Sequence, residues 1–202
     1  GGCGGGWPEE CAAIAKEKGL ILSSDYGPYQ ARSSTCKAGN HKRWRIDDYG
    51  FVGSSSGVPS AQKIKDAMVK YGPISVCVAA DNALSNYRGG VFKGNGRSIN
   101  HAVMIVGWYE KDGKTIWIMR NSWGTGWGIN GYAEMEEGAN QIGDSAVWVY
   151  VAGAPVPPDP DPIPPIPPVP PGPISPTEWR IDPAKQELTV PKGWKVNGVV
   201  PG

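Results

Sequence analysis

The sequence NSWGTGWG occupies residues 121–128, and the sequence NHAV occupies residues 100–103. His101 opens one apolar run, and Asn121 ends the next run, just before a turn rich in glycine and tryptophan. A β-hairpin formed by the two runs would bring these two ends side by side. The pattern therefore predicts that His101 and Asn121 are neighbours in space.

An asparagine beside a histidine is the orienting half of a nucleophilic triad. The amide oxygen accepts a hydrogen bond from one ring nitrogen, which fixes the tautomer and leaves the other nitrogen to take a proton from a thiol. Each residue alone has a plainer interpretation, as a core histidine in an apolar strand and as a turn asparagine. The occurrence of both together with the N-S-W-G-x-x-W-G spacing favours the catalytic interpretation.

This pattern resembles the papain-like cysteine peptidases, which use a Cys-His-Asn triad. The resemblance covers roughly residues 1–153 and implies a cysteine-type endopeptidase that needs no cofactor. It makes His101 the general base and acid, Asn121 the residue that orients it, and Trp123 a shield that keeps water from their hydrogen bond. The fold class it implies is α+β: mostly the β-rich half of the papain-like fold, with a helix of the other half.

Composition excludes several other classes of protein. The net charge of +1 gives no electrostatic reason to expect nucleic acid or an anionic membrane. No apolar run reaches the roughly 18 residues of a membrane span. Four cysteines without a Cys-x-x-Cys pair, and two histidines, argue against zinc and favour disulfides in an oxidising compartment. We expect an extracellular, secreted, lysosome-like or cell-surface protein.

The start of the chain, CGGGWP at residues 3–8, is similar to the family's C-x-G-G segment. That similarity implies a disulfide at Cys3 and places Gly5 and Gly6 beside the substrate backbone. A peptide that hydrogen-bonds to exposed main chain needs this absence of side chains. By the same resemblance, Cys36 is expected to form another disulfide.

The nucleophilic cysteine is not among these residues. Cys3 lies 98 positions before His101, whereas the family's nucleophile lies roughly 130 or more before its histidine. We therefore expect it about 30 residues upstream of Gly1, together with the glutamine that helps to bind the oxyanion. Cys11 and Cys77 are poor substitutes and are interpreted as small core residues.

The resemblance also assigns a pocket for the substrate residue two positions before the cleaved bond. Its expected lining is Trp7, Pro8, Cys77, Ile99 and Ala102. None of these residues carries a carboxylate that could pair with an arginine. The assigned lining therefore predicts a preference for an apolar residue of moderate size.

Helix and strand signals fill in the rest of the domain. We expect a helix from Pro8 to about Lys18, with an apolar face of residues 11, 12, 14 and 15, and a second helix over residues 61–71 after an N-cap at Ser60. Strands are predicted over residues 74–80, 101–109, 115–120, 131–135 and 146–151.

The last 49 residues have a different composition. Residues 154–176 contain thirteen prolines and predict a stiff polyproline II linker. Residues 177–202 are β-prone but too short to bury a core, so they are interpreted as the start of a truncated module.

Three alternatives to the single-chain peptidase remain open. The chain could be a non-catalytic papain-fold binding protein, or one chain of a two-chain peptidase whose nucleophile lies on the other polypeptide. It could also be an adhesive protein in which residues 177–202 matter most. Retention of both His101 and Asn121 argues against the binding protein, because binding alone does not need that pair.

Overall fold

The computed structural model describes residues 5–28, 32, 35 and 39–152, and the backbone of residues 180–182 and 187–189. Its main feature is a seven-stranded sheet with the order β1-β7-β2-β4-β5-β6-β3. The strands are β1 (Asp48–Phe51), β2 (Ile74–Val78), β3 (Val91–Phe92), β4 (His101–Lys111), β5 (Lys114–Arg120), β6 (Tyr132–Glu136) and β7 (Asp144–Tyr150). Neighbouring strands of this sheet are antiparallel, except that β3 runs parallel to β6.

Four α-helices and a 3₁₀ turn complete the described part of the chain. They are α1 (Pro8–Glu17), α2 (Ser23–Tyr26), α3 (Ala61–Tyr71), α4 (Asn82–Ser85) and the turn Ala139–Gln141. The combination confirms the predicted α+β class. Two further strands, β8 (Arg180–Asp182) and β9 (Glu187–Thr189), pair with each other. The predictions for Cys3, Cys36 and the proline-rich linker lie outside the described residues.

Helix α3 has the predicted bounds and cap. The Ser60 hydroxyl accepts a hydrogen bond from the backbone N–H of Lys63 at 3.4 Å, and Gly72 ends the helix in a left-handed conformation. Ile64, Ala67 and Met68 are buried on one face. That face, together with one face of the sheet, forms the main hydrophobic core.

Helix α1 begins and ends where expected but buries less than predicted. Pro8 is its first residue, and Gly19 just beyond it has a φ of 75°. Ala12 and Ala15 are buried, whereas Cys11 and Ile14 are exposed. The predicted four-residue apolar face was wrong, because the helix contacts its neighbours through the two alanines.

Side chains along β2 point alternately to the two faces of the sheet. Ile74, Val76 and Val78 are fully buried in the main core. Cys77 points to the opposite face, which α1 covers. The sheet therefore has one self-contained core face and one face shared with the amino-terminal residues.

The predicted hairpin is formed by β4 and β5. Its two-residue turn, Asp112-Gly113, has φ values of 52° and 74°, the left-handed pair that a tight hairpin of this length requires. Pairing continues from Lys111↔Lys114 to Met104↔Arg120. His101 and Asn121 therefore lie together at the open end of the hairpin.

Candidate active site

The hydrogen bond between His101 and Asn121 is the centre of the site. The ring Nε2 of His101 lies 2.8 Å from the side-chain oxygen Oδ1 of Asn121. His101 is the first residue of β4, where it pairs with Val78, and Asn121 directly follows β5. The backbone N–H of Asn121 donates to the Gly131 carbonyl at 2.9 Å, which fixes the end of that strand.

A second donor fixes the orientation of the Asn121 amide. The backbone N–H of Ser122 also donates to Asn121 Oδ1, at 2.8 Å. With the oxygen in that position, the bond to His101 needs a hydrogen on Nε2, so the neutral ring carries its lone pair on Nδ1. The arrangement leaves Nδ1 free to act as a base.

An aromatic layer covers this pair. The Trp123 ring stacks on the His101 ring with centroids 4.7 Å apart and an interplanar angle of 24°. Trp127 meets Trp123 edge-on at 5.3 Å and is held by its indole N–H, which donates to the carbonyls of Leu84 and Ser85. Trp123 keeps one face towards solvent, with 38% of its surface exposed.

The turn that carries these tryptophans depends on glycine. Gly124 and Gly128 have φ values of 80° and 58°. A Cβ at Gly128 would collide with the Tyr132 carbonyl oxygen. The glycines of the motif therefore set the path of the turn, which places Trp123 over His101.

Gly5 and Gly6, two of the predicted substrate-binding residues, are exposed. Gly5 has a φ of 87° and open space where a Cβ would be, while a Cβ at Gly6 would lie 3.3 Å from a carboxylate oxygen of Glu10. Trp7 has 47% of its surface exposed, and Pro8 is partly buried at the start of α1. The main chain here is open to a ligand.

Two other residues of the predicted pocket, Cys77 and Ala102, lie side by side in the sheet. Cys77 and Ala102 are cross-strand partners on the face towards α1. Cys77 is buried, Ala102 is exposed and Ile99 is partly buried just before the start of β4.

Two carboxylates lie near the predicted pocket but were not predicted from the sequence. Asp144 is the cross-strand partner of Cys77 in β7, and Glu9 lies in the first turn of α1 beside Pro8. One Glu9 oxygen is buried without a hydrogen-bond partner among the described residues. Asp144 instead accepts from the Gly57 N–H at 2.9 Å and the Ser145 hydroxyl at 2.6 Å. The sequence could have indicated Glu9 as a residue near the pocket, because Glu9 directly follows Trp7 and Pro8, which were predicted to line it.

Cys77 does not have the surroundings of a nucleophile. Burial, reinforced by the negative charges of Asp144 and Glu9, raises the pKa of Cys77 to about 11. Cys77 is a core residue, as expected. Cys11 is exposed on α1, so its interpretation as a core residue was wrong.

Within residues 5–28 and 39–152, no group of three potential metal ligands comes together. In the same part of the chain, no helix has the length and apolar character needed to cross a bilayer.

Comparison with known proteins identifies the family to which this fold belongs. The model for the papain family of cysteine proteases matches residues 1–151. Bromelain from Ananas comosus, solved in complex with the E64 inhibitor, superposes with a TM-score of 0.64 at 31% identity, covering 74% of this chain and 71% of bromelain. A cysteine protease from Carica candamarcensis superposes with a TM-score of 0.63 at 31% identity, covering 74% and 70% of the two chains.

Curated relatives agree with the structural match. Digestive cysteine proteinase 1 of Homarus americanus is 34% identical over 143 residues, 69% of this chain and 44% of the relative. Cysteine proteinase COT44 of Brassica napus is 36% identical over 168 residues, 80% of this chain and 49% of the relative. The chain belongs to the papain family of cysteine proteases and spans just under half the length of these two curated relatives.

Proposed function

We propose that the protein is a cysteine-type endopeptidase in which His101 and Asn121 are two members of the catalytic triad. The observation that carries the proposal is the 2.8 Å bond from His101 Nε2 to an asparagine oxygen whose orientation Ser122 already fixes. That geometry supports Nδ1 of His101 as the proposed base, because Nε2 bonds to Asn121. The stacked Trp123 excludes water from one side of the ring.

The chemistry follows from the free nitrogen of His101. Its Nδ1 takes the proton of a cysteine thiol, and the thiolate sulfur forms a bond to the scissile carbonyl carbon. The carbon–nitrogen bond then breaks, and the proton on Nδ1 passes to the leaving amine. Water that gives a proton to Nδ1 cleaves the thioester and restores the thiol. Throughout, Asn121 holds the imidazole and stabilises its charged form.

The nucleophile in this proposal comes from outside the 202 residues. Cys77 is buried with a raised pKa, and Cys11 lies on the solvent face of α1. One buried atom on each side of the site, Glu9 Oε2 and Asn121 Nδ2, has no partner among the described residues. Unpaired buried polar atoms are costly, so a further segment that supplies both the cysteine and these partners fits the site.

Substrate recognition in the proposal uses main chain and a pocket. Gly5 and Gly6 bind the peptide backbone, because their exposed main chain can pair with an extended ligand. The side chain two residues before the cleaved bond enters the pocket formed by Trp7, Pro8, Cys77, Ile99 and Ala102. Peptides or unfolded proteins in an extracellular or lysosome-like compartment are the proposed substrates.

The linker and the end of the chain have roles separate from catalysis in this proposal. Residues 154–176 act as an extended spacer, up to roughly 70 Å long at about 3.1 Å per residue. Residues 177–202 begin a second module. Small-angle scattering on the full-length protein should show two separated bodies, and a single compact particle would contradict the spacer.

The decisive experiment compares the two histidines of the sequence in the full-length protein, with its own upstream segment present. His101→Ala should reduce kcat/KM on fluorogenic peptides on the order of 10³-fold or more. His41→Ala is the matched control, because His41 is exposed and distant from Asn121 in the sequence, and it should leave the rate unchanged. Full activity of the His101 variant would refute the proposed triad.

A thiol-directed epoxide inhibitor separates the peptidase from the non-catalytic alternative. We expect it to label one cysteine upstream of Gly1 in the wild type and to label it much more slowly in the His101→Ala variant. A protein that is not labelled and does not hydrolyse peptides would instead be a binding protein. Labelling on a separate polypeptide would identify the two-chain form.

A further inference from the structure

The segment of residues 93–100 connects β3 to β4 and leads directly into His101. It contains no helix or strand, yet it must place both Ile99, a predicted pocket residue, and His101. Irregular segments are the most mobile parts of most folds unless side chains hold them. What fixes this segment therefore determines how accurately the proposed catalytic base is positioned.

Asn140, in the 3₁₀ turn before β7, contacts this segment at two points. Its side-chain Oδ1 accepts from the Gly96 N–H at 2.7 Å, and its own N–H donates to the Gly94 carbonyl at 3.1 Å. Asn140 is completely buried. These bonds join the connecting segment to an element more than forty residues away in sequence.

Asn140 also forms two hydrogen bonds to Ala79, at the end of β2. Its Nδ2 donates to the Ala79 carbonyl at 2.8 Å, and its backbone carbonyl accepts from the Ala79 N–H at 2.9 Å. Asn140 thus forms four hydrogen bonds, two to each side. It clamps the segment 93–100 against the strand that pairs with the start of β4.

Glycines in the segment allow this close contact. A Cβ at Gly94 would collide with Asn140 Oδ1, and one at Gly96 would lie 3.0 Å from Asn140 Nδ2 and 2.9 Å from an Asp81 carboxylate oxygen. The segment is therefore wrapped tightly around the asparagine side chain. Substitution of either glycine would push the main chain away from it.

A second clamp lies next to the first. The Asn100 side chain accepts from the Ala80 N–H at 2.8 Å and donates to the Ala80 carbonyl at 3.2 Å. Gln141 donates from its side chain to the Arg97 carbonyl. Asn140 and Asn100 therefore hold Ala79 and Ala80, two consecutive residues just after β2. Asn100 immediately precedes His101 in the chain.

The backbone at the clamp is strained. Asn140 and Gln141 have φ values of 44° and 55°, a left-handed conformation that is unfavourable for a residue with a side chain. Asparagine tolerates it better than most residues. Strain that is retained at a fully buried residue beside a proposed active site points to a role in positioning.

We infer that Asn140 is a positioning residue for the proposed peptidase reaction: it fixes the segment 93–100 and so holds the His101 ring in register with Asn121. This inference rests on the proposed function for its activity readout. Its structural readout, the His101–Asn121 bond, does not depend on catalysis. Asn140 acts through the main chain and does not contact substrate.

The test is Asn140→Gly in the full-length protein. Glycine adopts the left-handed φ without strain, so the change removes the two side-chain bonds and keeps the local backbone accessible. Asn130→Gly is the matched control, because Asn130 is also left-handed, with a φ of 52°, but lies in an exposed turn. Ile116→Ala, in the buried part of β5, controls for loss of stability alone.

We expect Asn140→Gly to reduce kcat/KM about 10-fold or more when the rate is normalised to the concentration of titrated active sites. The substitution should also shift the limb of the pH profile of kcat/KM that reports His101. The Asn130 and Ile116 variants should keep the wild-type profile at temperatures where they remain folded. In ¹⁵N-labelled protein, the His101 Nε2–H signal should be protected from solvent exchange in the wild type and lose that protection in Asn140→Gly.

Two results would overturn the inference. One is an Asn140→Gly protein with a lower melting temperature but a wild-type pH profile and a protected His101 Nε2–H. The other is an identical change of profile in Ile116→Ala. A wild-type protein without peptidase activity would instead refute the proposed function, and the exchange measurement would still test the positioning by Asn140.

Discussion

The amino-terminal region, residues 5–47, and the sheet region, residues 48–152, differ in how they bury apolar surface. All nineteen buried members of the main core cluster lie in the sheet region, beginning at Val52. Among the described residues of the amino-terminal region, the buried hydrophobic ones are Ala12 and Ala15. The described part of that region also exposes six large hydrophobic side chains by 39–52% of their surface: Trp7, Ile14, Leu20, Leu22, Tyr26 and Trp44.

Polar contacts join the two regions in addition to the packing of α1. The Asp47 N–H donates to the Tyr150 carbonyl at 2.9 Å, and the Asp47 side chain accepts from the Ala152 N–H. Lys16 forms an ion pair with Asp48 at 2.8 Å, but both side chains are about half exposed, and exposed ion pairs stabilise little. In the described part of the amino-terminal region, a β-bridge pairs Leu20 with Trp44. We therefore expect the sheet region to supply most of the stability of the described residues. In the proposed function, the further segment that carries the cysteine covers the apolar surface of the amino-terminal region.

The largest expected effect comes from removing that further segment. Residues 1–202 expressed alone should show no thiol-peptidase activity, because the proposed nucleophile is absent, and should be poorly stable. Hydrogen exchange on this chain should show fast exchange over residues 5–47 and slower exchange in β2, β4 and β5. Peptide hydrolysis with specific labelling of Cys11 or Cys77 would overturn the placement of the nucleophile, and uniform protection would remove the contrast between the regions.

A pair of core substitutions should show the next largest effect. Met119→Ala, at a completely buried residue of β5, should lower the free energy of unfolding by about 2–5 kcal/mol. Trp44→Ala should change the stability of residues 1–202 by less than about 0.5 kcal/mol, because Trp44 is half exposed. Urea unfolding measures both. In the full-length protein, Trp44→Ala should lower the free energy of unfolding by much more than in residues 1–202. An equally small effect in both proteins would show that no further segment covers the Trp44 surface.

The substrate preference tests the predicted pocket, whose lining residues come from both regions. Peptide-library profiling of the full-length protein should show at least about a 10-fold preference for apolar residues over arginine two positions before the cleaved bond. Glu9→Gln should preserve that preference, because the expected lining is apolar. A strong preference for arginine that Glu9→Gln abolishes would show that Glu9 belongs to the lining and that the sequence-based assignment was wrong.

The smallest effect is expected inside the sheet region, at Glu134. Burial raises the pKa of this carboxyl group despite a hydrogen bond from Tyr109. A raised pKa in the folded state means that Glu134 contributes stability at acidic pH, and that this contribution is lost as the pH rises through the folded-state pKa.

Glu134→Gln should therefore be more stable than the wild type at neutral pH, by less than about 1 kcal/mol, and the gain should vanish at acidic pH. Unfolding measured across the pH range tests this expectation. Glu137→Gln is the control, because Glu137 is exposed and lies just beyond the end of β6. A gain that persists at acidic pH would contradict the burial argument.

Local patterns were sufficient to predict much of this fold. The Ser60 cap predicted the start of α3, and the two apolar runs predicted the hairpin of β4 and β5. The hairpin in turn brought His101 and Asn121 together. In each case the deciding residues are close in sequence or share a strand pair.

Long-range features could not be predicted in this way. Asp144 lies opposite Cys77 because the register shifts between Ser75 and Cys77, which no pattern in either strand indicates. The role of Asn140 depends on a left-handed backbone and on partners far away in sequence. The exposure of Ile14 depends on which helix face packs on the sheet, and the local pattern of α1 did not determine it.

The pairing order of the sheet has a consequence for how the protein folds. Strands β4 and β5 close a loop of two residues, whereas β1 and β7 join Asp48 to Tyr150 across roughly a hundred residues. Short loops close with little entropy loss and on microsecond timescales, while distant pairings form late. We expect the hairpin that carries His101 and Asn121 to form early, and the outer strand β1 to join the sheet last.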